Sequence, residues 1–343
     1  MTDSLQDIAR RIVAPGKGLL AADESSSTIK KRFDVIGLES TADTRRDYRE
    51  MLFRAEEAMR DYISGVILYD ETIRQSARDG TPLVDVIKAA GSIPGIKVDL
   101  GPKPLPGFPG ETITEGLDGL ADRLAEYYAL GARFAKWRAV IGIGNGMPTE
   151  SAIYANAHAL ARYAALCQQA NIVPIVEPEV LMDGKPATHD IARCEAVTRQ
   201  TLHAVFAELV RARVDLSGMI LKPNMVVPGR DSGQSVSAET VAERTLAVFR
   251  DCVPASVPGI AFLSGGQSDE QATENLAAIN RIPGLTWPIT FSFGRALQAA
   301  ALHAWGGKAE NVAAGQRAFT HRARMNSLAA LGKWQPALER DAA

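Results

Sequence analysis

Five apolar runs in this chain carry charged or polar side chains at the ends where buried strands should carry none. Asp23 and Ser25 end the first, Lys97 and Asp99 lie in the next, Lys136 and Arg138 end a third, Glu177 and Glu179 a fourth, and Lys222 and Asn224 a fifth. Each pair is spaced i,i+2, so in extended chain both members face one side. Lys, Arg, Asp and Glu are almost never fully buried unless paired. For a single strand, a structural ion pair explains such a charge as well as a site does. Five sets converging on one mouth favour a site, because a network of that size kept for structure alone is costly to desolvate.

These residue types suit condensation of an amine with a carbonyl. A lysine amine attacks a ketone only when neutral, whereas the reference lysine pKa is about 10.4. Cationic neighbours favour the neutral amine, and Lys136 and Arg138 are candidates for that pressure on Lys222. The protonated imine that results is an electron sink beside the bond to be broken. One carboxylate must shuttle protons as the imine forms, a role assigned to Glu177. A second must take the proton from a hydroxyl on the departing carbon, a role assigned to Asp23. Glu179 is expected to hold the positive charge of the lysines in place.

Two further runs end in glycine-bearing loops, Phe262-Leu263-Ser264-Gly265-Gly266-Gln267 and Phe291-Ser292-Phe293-Gly294-Arg295. Barrels often bind phosphate after their seventh and eighth strands, where glycine lets backbone N–H groups approach an anion. Ser264, Gly265, Gly294 and Arg295 fit that description, and Ser292 is counted with them as a substrate ligand. Leu263 to Gln267 also matches an ABC-type ATPase pentapeptide, but the chain has no Gly-x4-Gly-Lys-Ser/Thr loop. Gly142 to Gly146 is not a dinucleotide fingerprint. The five histidines, at 158, 189, 203, 303 and 321, show no metal-ligand spacing, so no metal is expected and the lysine route is favoured.

What must position these groups is an alternation of short β-branched runs and helix-period segments. The runs are 18–25, 65–72, 95–101, 132–139, 171–180, 217–226, 258–267 and 288–295. Such alternation argues a parallel sheet with crossover helices, and eight units over this length argue an α/β fold of the (β/α)8 TIM-barrel type. A doubly wound sheet is the alternative, since closure is not written in a sequence. Tyr48, Leu52, Ala55, Met59 and Tyr62 form one apolar stripe, with Glu50/Arg54 and Glu56/Arg60 as i,i+4 pairs. Ser268 to Gln271 reads as a capping box, and Asp190–Arg213 and Asn311–Trp334 as helices. Pro102 to Pro109 reads as a rigid loop. One domain over 1–343 is expected, with a flexible tail from about 335.

Net charge is −2 over 343 residues, so no basic field recruits nucleic acid or an anionic membrane, and positive charge for a phosphate ester must be local. No apolar run reaches the roughly 18 residues of a membrane span. The N-terminus lacks the pattern of a signal peptide, and three widely spaced cysteines suggest reduced thiols packed in helices, so a cytoplasmic location is expected.

The motifs as a set resemble class I fructose-bisphosphate aldolase. They are Leu20-Ala21-Ala22-Asp23-Glu24-Ser25, Gly95-Ile96-Lys97-Val98-Asp99, Phe134-Ala135-Lys136-Trp137-Arg138, Pro174 to Glu179, Leu221-Lys222-Pro223-Asn224-Met225 and the two glycine loops, in order from about Gly16 to Trp305. The resemblance implies a (β/α)8 barrel, a homotetramer, no cofactor, and reversible cleavage of fructose 1,6-bisphosphate to dihydroxyacetone phosphate and glyceraldehyde 3-phosphate. It implies that Lys222 is the Schiff-base lysine, Glu177 the proton shuttle, Asp23 the base for the C4 hydroxyl and Lys136 a charge stabiliser. It implies C1-phosphate contacts from Ser264, Gly265, Gly294 and Arg295, and C6-phosphate contacts from Ser25, Lys97 and Arg138, with Arg32 contributing. Three positions depart from the family pattern. No tyrosine follows Tyr163, whereas animal members end in one that exchanges protons with the enamine. Ser25-Ser26-Ser27-Thr28 stands where Ser-Thr-Gly-Ser is commoner, and Phe293 stands where tyrosine is common. Another imine-forming sugar-phosphate aldolase, or a non-catalytic scaffold on the same barrel, is the alternative.

Overall fold

The computed structural model describes residues 3–184 and 187–340. The strands are β1 (Gly18–Ala22), β2 (Ile63–Leu68), β3 (Ile93–Lys97), β4 (Pro102–Pro104), β5 (Thr112–Thr114), β6 (Phe134–Ile141), β7 (Val173–Val180), β8 (Ile220–Leu221), β9 (Ile260–Phe262) and β10 (Ile289–Phe293). All but β4 and β5 form one closed parallel barrel, in the order β1-β10-β9-β8-β7-β6-β3-β2. The pairing of Leu19 with Ser292 joins the first strand to the last. That closure excludes the doubly wound alternative.

The lumen explains why the strand ends are charged. Leu19 and Ala21 of β1, Ile93 of β3, Phe134 of β6, Val173 and Ile175 of β7, and Ile220 of β8 pack together inside the barrel. Ile8, Ala9 and Ile12, from the helix Leu5–Ile12, seal its lower end. Because side chains alternate along a strand, the next inward positions are 23, 97, 136, 177 and 222. Each strand is thus apolar at the bottom and ionisable at the top, along one inward-facing line. Phe134 fits because its register partner is Gly95, where an added Cβ would lie 2.1 Å from the Phe134 ring. The outward residues, among them Leu20, Val66, Ile96, Trp137, Val176 and Phe262, pack under the surrounding helices.

Several local expectations need correction. The segment read as a rigid loop after Gly101 holds β4, paired antiparallel with β5 through Lys103 and Ile113. The stripe from Tyr48 to Tyr62 is not one helix. An α-helix spans Ala42–Phe53, and a separate π-helical turn spans Ala58–Tyr62. Glu50 and Arg54 do pair at 2.9 Å, but Arg60 turns to Asp61 in place of Glu56. Ser268 caps its helix by accepting from the Gln271 N–H at 3.1 Å, one half of a capping box. Pro336–Arg340 form a 3-10 turn, in which Glu339 meets Arg322, His321 and Trp334. Residues 341–343 of the expected tail lie outside the described residues. Among the described residues, no helix is long and apolar enough to cross a membrane.

Candidate active site

The strand ends open into a cavity of about 1230 Å³. Its floor holds Lys222, Glu177, Lys136 and Asp23, each no more than 9% exposed. Lys222 follows β8 directly, and its backbone N–H donates to the Val176 carbonyl at 2.8 Å, which fixes its root against β7. Its Nζ lies 3.2 Å from Glu177 Oε1. The other oxygen of the same carboxylate lies 3.4 Å from Lys136 Nζ. Lys136 in turn reaches Asp23 Oδ2 at 2.7 Å. The sequence runs Lys222–Glu177–Lys136–Asp23, with charge alternating along it. Such alternation is what makes this much ionisable burial tolerable, because each desolvated charge keeps an opposite neighbour.

The electrostatic consequences differ by residue. Burial pushes the Asp23 carboxyl up, but Lys136, Lys222 and Lys97 outweigh it and hold it at about 2. Asp23 is therefore ionised at neutral pH and able to accept a proton. Burial favours the neutral form of Lys136, yet Asp23, Glu177 and Asp99 more than reverse that, so it stays an ammonium. Lys136 and Arg138, the cations expected to bear on Lys222, each hold a carboxylate of their own. Glu179 departs from expectation. It pairs with the Arg138 guanidinium and not with a lysine, which raises the Arg138 pKa further.

The wall of the cavity carries the remaining sequence-predicted residues. Lys97 holds Asp99 at 2.7 Å, and Arg32 holds Glu24. Arg295 holds Asp269 at 3.1 Å and donates to the Gln267 carbonyl. Ser25 is the N-cap of the helix Ser26–Asp34, accepting from the Thr28 N–H at 3.4 Å. Ser264, Gly265, Ser292 and Gly294 complete the lining from the loops after β9 and β10. The Ser292 hydroxyl is buried and has no hydrogen-bond partner among the described residues. An added Cβ at Gly265 would stand 2.7 Å from Glu179 Oε1, so the carboxylate would have to shift. All the sequence-predicted site residues thus line one cavity.

Asn224 does not join them. β8 ends at Leu221, so strict alternation lapses beyond it. The Asn224 side chain is fully buried in the wall, accepting from the Val180 N–H at 3.1 Å and donating to Thr198.

Two supporting residues were not read from the sequence. Arg49 is wholly buried, donating to the Glu24 carbonyl at 2.8 Å and to Thr72 at 2.6 Å. Burial lowers its pKa, and Glu24 and Glu71 oppose that. It sits one residue after Tyr48 in an amphipathic helix, so its only sequence signal is a charge at the edge of the apolar stripe. Gln298 donates to the Ala21 carbonyl at 2.7 Å and receives the Tyr48 hydroxyl at 3.1 Å. Together they fix the end of β1, from which Asp23 projects. Arg74, Arg123 and Arg230 also line the mouth.

Comparison with known proteins gives a consistent picture. The family model described as fructose-bisphosphate aldolase class-I matches residues 4–343. A probable fructose-bisphosphate aldolase class 1 of Xanthomonas axonopodis pv. citri is 53% identical over 334 residues, covering 97% of this chain and 99% of the relative. The cytosolic fructose-bisphosphate aldolase 4 of Arabidopsis thaliana is 54% identical over 328 residues, 95% of this chain and 82% of the relative. The fructose-bisphosphate aldolase of Plasmodium falciparum, solved with TRAP and a small-molecule inhibitor, superposes with a TM-score of 0.93 at 47% identity. It covers 96% of this chain and 95% of its own.

Proposed function

The chain belongs to the class I fructose-bisphosphate aldolase family, and on that premise we propose that Lys222 carries the imine, Glu177 its protons and Asp23 the bond-cleaving deprotonation. The activity is the reversible aldol cleavage of fructose 1,6-bisphosphate to dihydroxyacetone phosphate and glyceraldehyde 3-phosphate.

The observation that carries the residue roles is Glu177, bridging Lys222 at 3.2 Å and Lys136 at 3.4 Å. In this reading Glu177 takes the ammonium proton from Lys222, and the amine adds to the C2 carbonyl. Glu177 then returns the proton to the carbinolamine hydroxyl, which leaves as water. The iminium draws electrons from the C3–C4 bond as Asp23 removes the C4 hydroxyl proton. Lys136, kept cationic by its two carboxylates, balances Asp23 and Glu177 as they exchange protons. The aldehyde departs, and protonation and hydrolysis of the enamine free the ketose phosphate.

Ser264, Gly265, Ser292, Gly294 and Arg295 form the C1-phosphate end in this reading, and Ser25, Arg32, Lys97 and Arg138 the C6-phosphate end. A substrate phosphate would take over from carboxylates and carbonyls that now hold the cations. The unpartnered Ser292 hydroxyl supports that assignment. A homotetramer of single-domain subunits in the cytoplasm completes the proposal. Sedimentation velocity and fractionation test its last parts.

The roles are tested by borohydride reduction with dihydroxyacetone phosphate followed by peptide mass mapping. The expected result is one adduct at Lys222, absent in Lys222→Ala. An adduct elsewhere, or one that survives Lys222→Ala, overturns the assignment.

A further inference from the structure

We propose that His203, Asp251 and Cys252 form a binding site for a Zn²⁺-class divalent transition metal, away from the active-site cavity. His203 lies in the helix Ile191–Arg211, and Asp251 and Cys252 end the helix Ala238–Cys252. No sequence spacing reveals the set, because its members come from neighbouring helices 48 residues apart. The three ligand atoms all lie within 4.8 Å of one another. His203 Nε2 is 3.3 Å from Asp251 Oδ2, and Cys252 Sγ is 3.9 Å from the same oxygen. Tetrahedral zinc with bonds of about 2.0–2.3 Å sets ligand atoms about 3.3–3.7 Å apart. The two separations lie at or just above that range and the third is no more than 4.8 Å, so the site would close with small side-chain adjustments.

The donor set is one imidazole nitrogen, one carboxylate oxygen and one sulfur. That combination selects zinc, cobalt, nickel or copper over magnesium or calcium, which take oxygen. The position already attracts a cation, because the Arg199 guanidinium sits on Asp251 Oδ2. Arg199 precedes His203 by one helical turn and has a second partner in place, Glu195 at 3.2 Å. Arg199 can therefore give up Asp251 without losing its counter-charge. Cys252 Sγ points at the Arg199 carbonyl, 3.7 Å away, so the thiol is already aimed at the opposing helix. His203 and Asp251 are both exposed, so solvent can reach the fourth coordination position. As the sulfur–metal bond forms, the thiol proton passes to solvent.

The site's place in the fold separates it from catalysis. In a (β/α)8 barrel each helix runs back from the active-site face, so Asp251 and Cys252, at a helix C-terminus, lie toward the stability face. The metal would tie together the helices that follow β7 and β8.

The test is a titration of metal-stripped protein with Co²⁺, and then with Zn²⁺ in competition. One equivalent of Co²⁺ should give a thiolate-to-cobalt charge-transfer band that Zn²⁺ abolishes. Only Cys252 can supply it, since Cys167 and Cys194 are 0% exposed. Cys252→Ser should remove the band, and His203→Ala should weaken binding at least about 10-fold. Arg199→Gln should tighten binding, because it removes the competing guanidinium. Aldol cleavage by the metal-free variants should equal wild type, which reports their folding. The absence of a charge-transfer band, equal affinity in His203→Ala, or weaker binding in Arg199→Gln overturns the proposal.

Discussion

The floor and the wall of the cavity solve opposite problems with the same kind of ion pair. On the floor, Lys222, Glu177, Lys136 and Asp23 are held by strands and almost wholly buried. Each keeps more than one ionic contact or is rooted in the sheet. On the wall, the side chains of Arg295, Arg138, Arg32 and Lys97 are 48%, 40%, 24% and 17% exposed, and each leans on a carboxylate. In the proposed mechanism the floor charges keep their partners, so that protons move between groups already in contact. In the same proposal the wall cations exchange theirs for phosphate oxygens. Carboxylate partners keep those cations ordered beforehand, and water reaching them keeps each pair weak enough to open.

That contrast predicts different kinetic signatures, and the largest effect belongs to the floor. Lys222→Ala should lower kcat by about 10⁵-fold or more, since no alternative nucleophile replaces the imine. Stopped assays with enzyme in excess would show it, and residual turnover within 100-fold of wild type breaks the floor's assignment. Asp23→Asn should follow, with cleavage slowed by about 10²–10⁴-fold. The Lys222 adduct should persist, so single-turnover trapping separates imine formation from bond cleavage.

Arg295→Ala should then raise KM by about 10- to 100-fold with kcat much less affected, as expected for one charge-assisted phosphate contact. A kcat loss matching that of Asp23→Asn would erase the distinction between wall and floor. The smallest effect is on acid stability. The Asp23 carboxyl sits at about 2 when folded, below the usual carboxylate value of about 3.9. A depressed carboxylate pKa contributes stability that is complete above the unfolded value and is lost as pH falls through the folded one. The contribution of about 2 kcal/mol should therefore fade between about pH 4 and pH 2. Urea melts of wild type and Asp23→Asn should converge over that window, and parallel curves would show that Asp23 is not held by the lysines.

Much of this was legible because a parallel barrel exaggerates its own exceptions. Strands buried on both faces make charges such as Lys136, Glu177 and Lys222 stand out, so a period-two reading found the floor. The glycine-bearing loops after the seventh and eighth runs, and then the motif resemblance, pointed to Ser264, Gly265, Gly294 and Arg295. The alternation failed at Asn224, where pairing stops after two residues of β8. It also had no means of finding Arg49, whose importance depends on the Glu24 carbonyl being brought above it.

The sequence alone determined which side chains point inward and which helices intervene, because periodicity and β-branching are local properties. The tertiary structure decided who pairs with whom. Lys136 meets both Asp23 and Glu177, Glu179 takes Arg138, and His203 meets Asp251 across two helices. Those partnerships depend on strand register and helix packing, which bring residues from 41 to 113 positions apart to within contact distance. The distribution of charge therefore belongs to the fold and not to any segment of the chain.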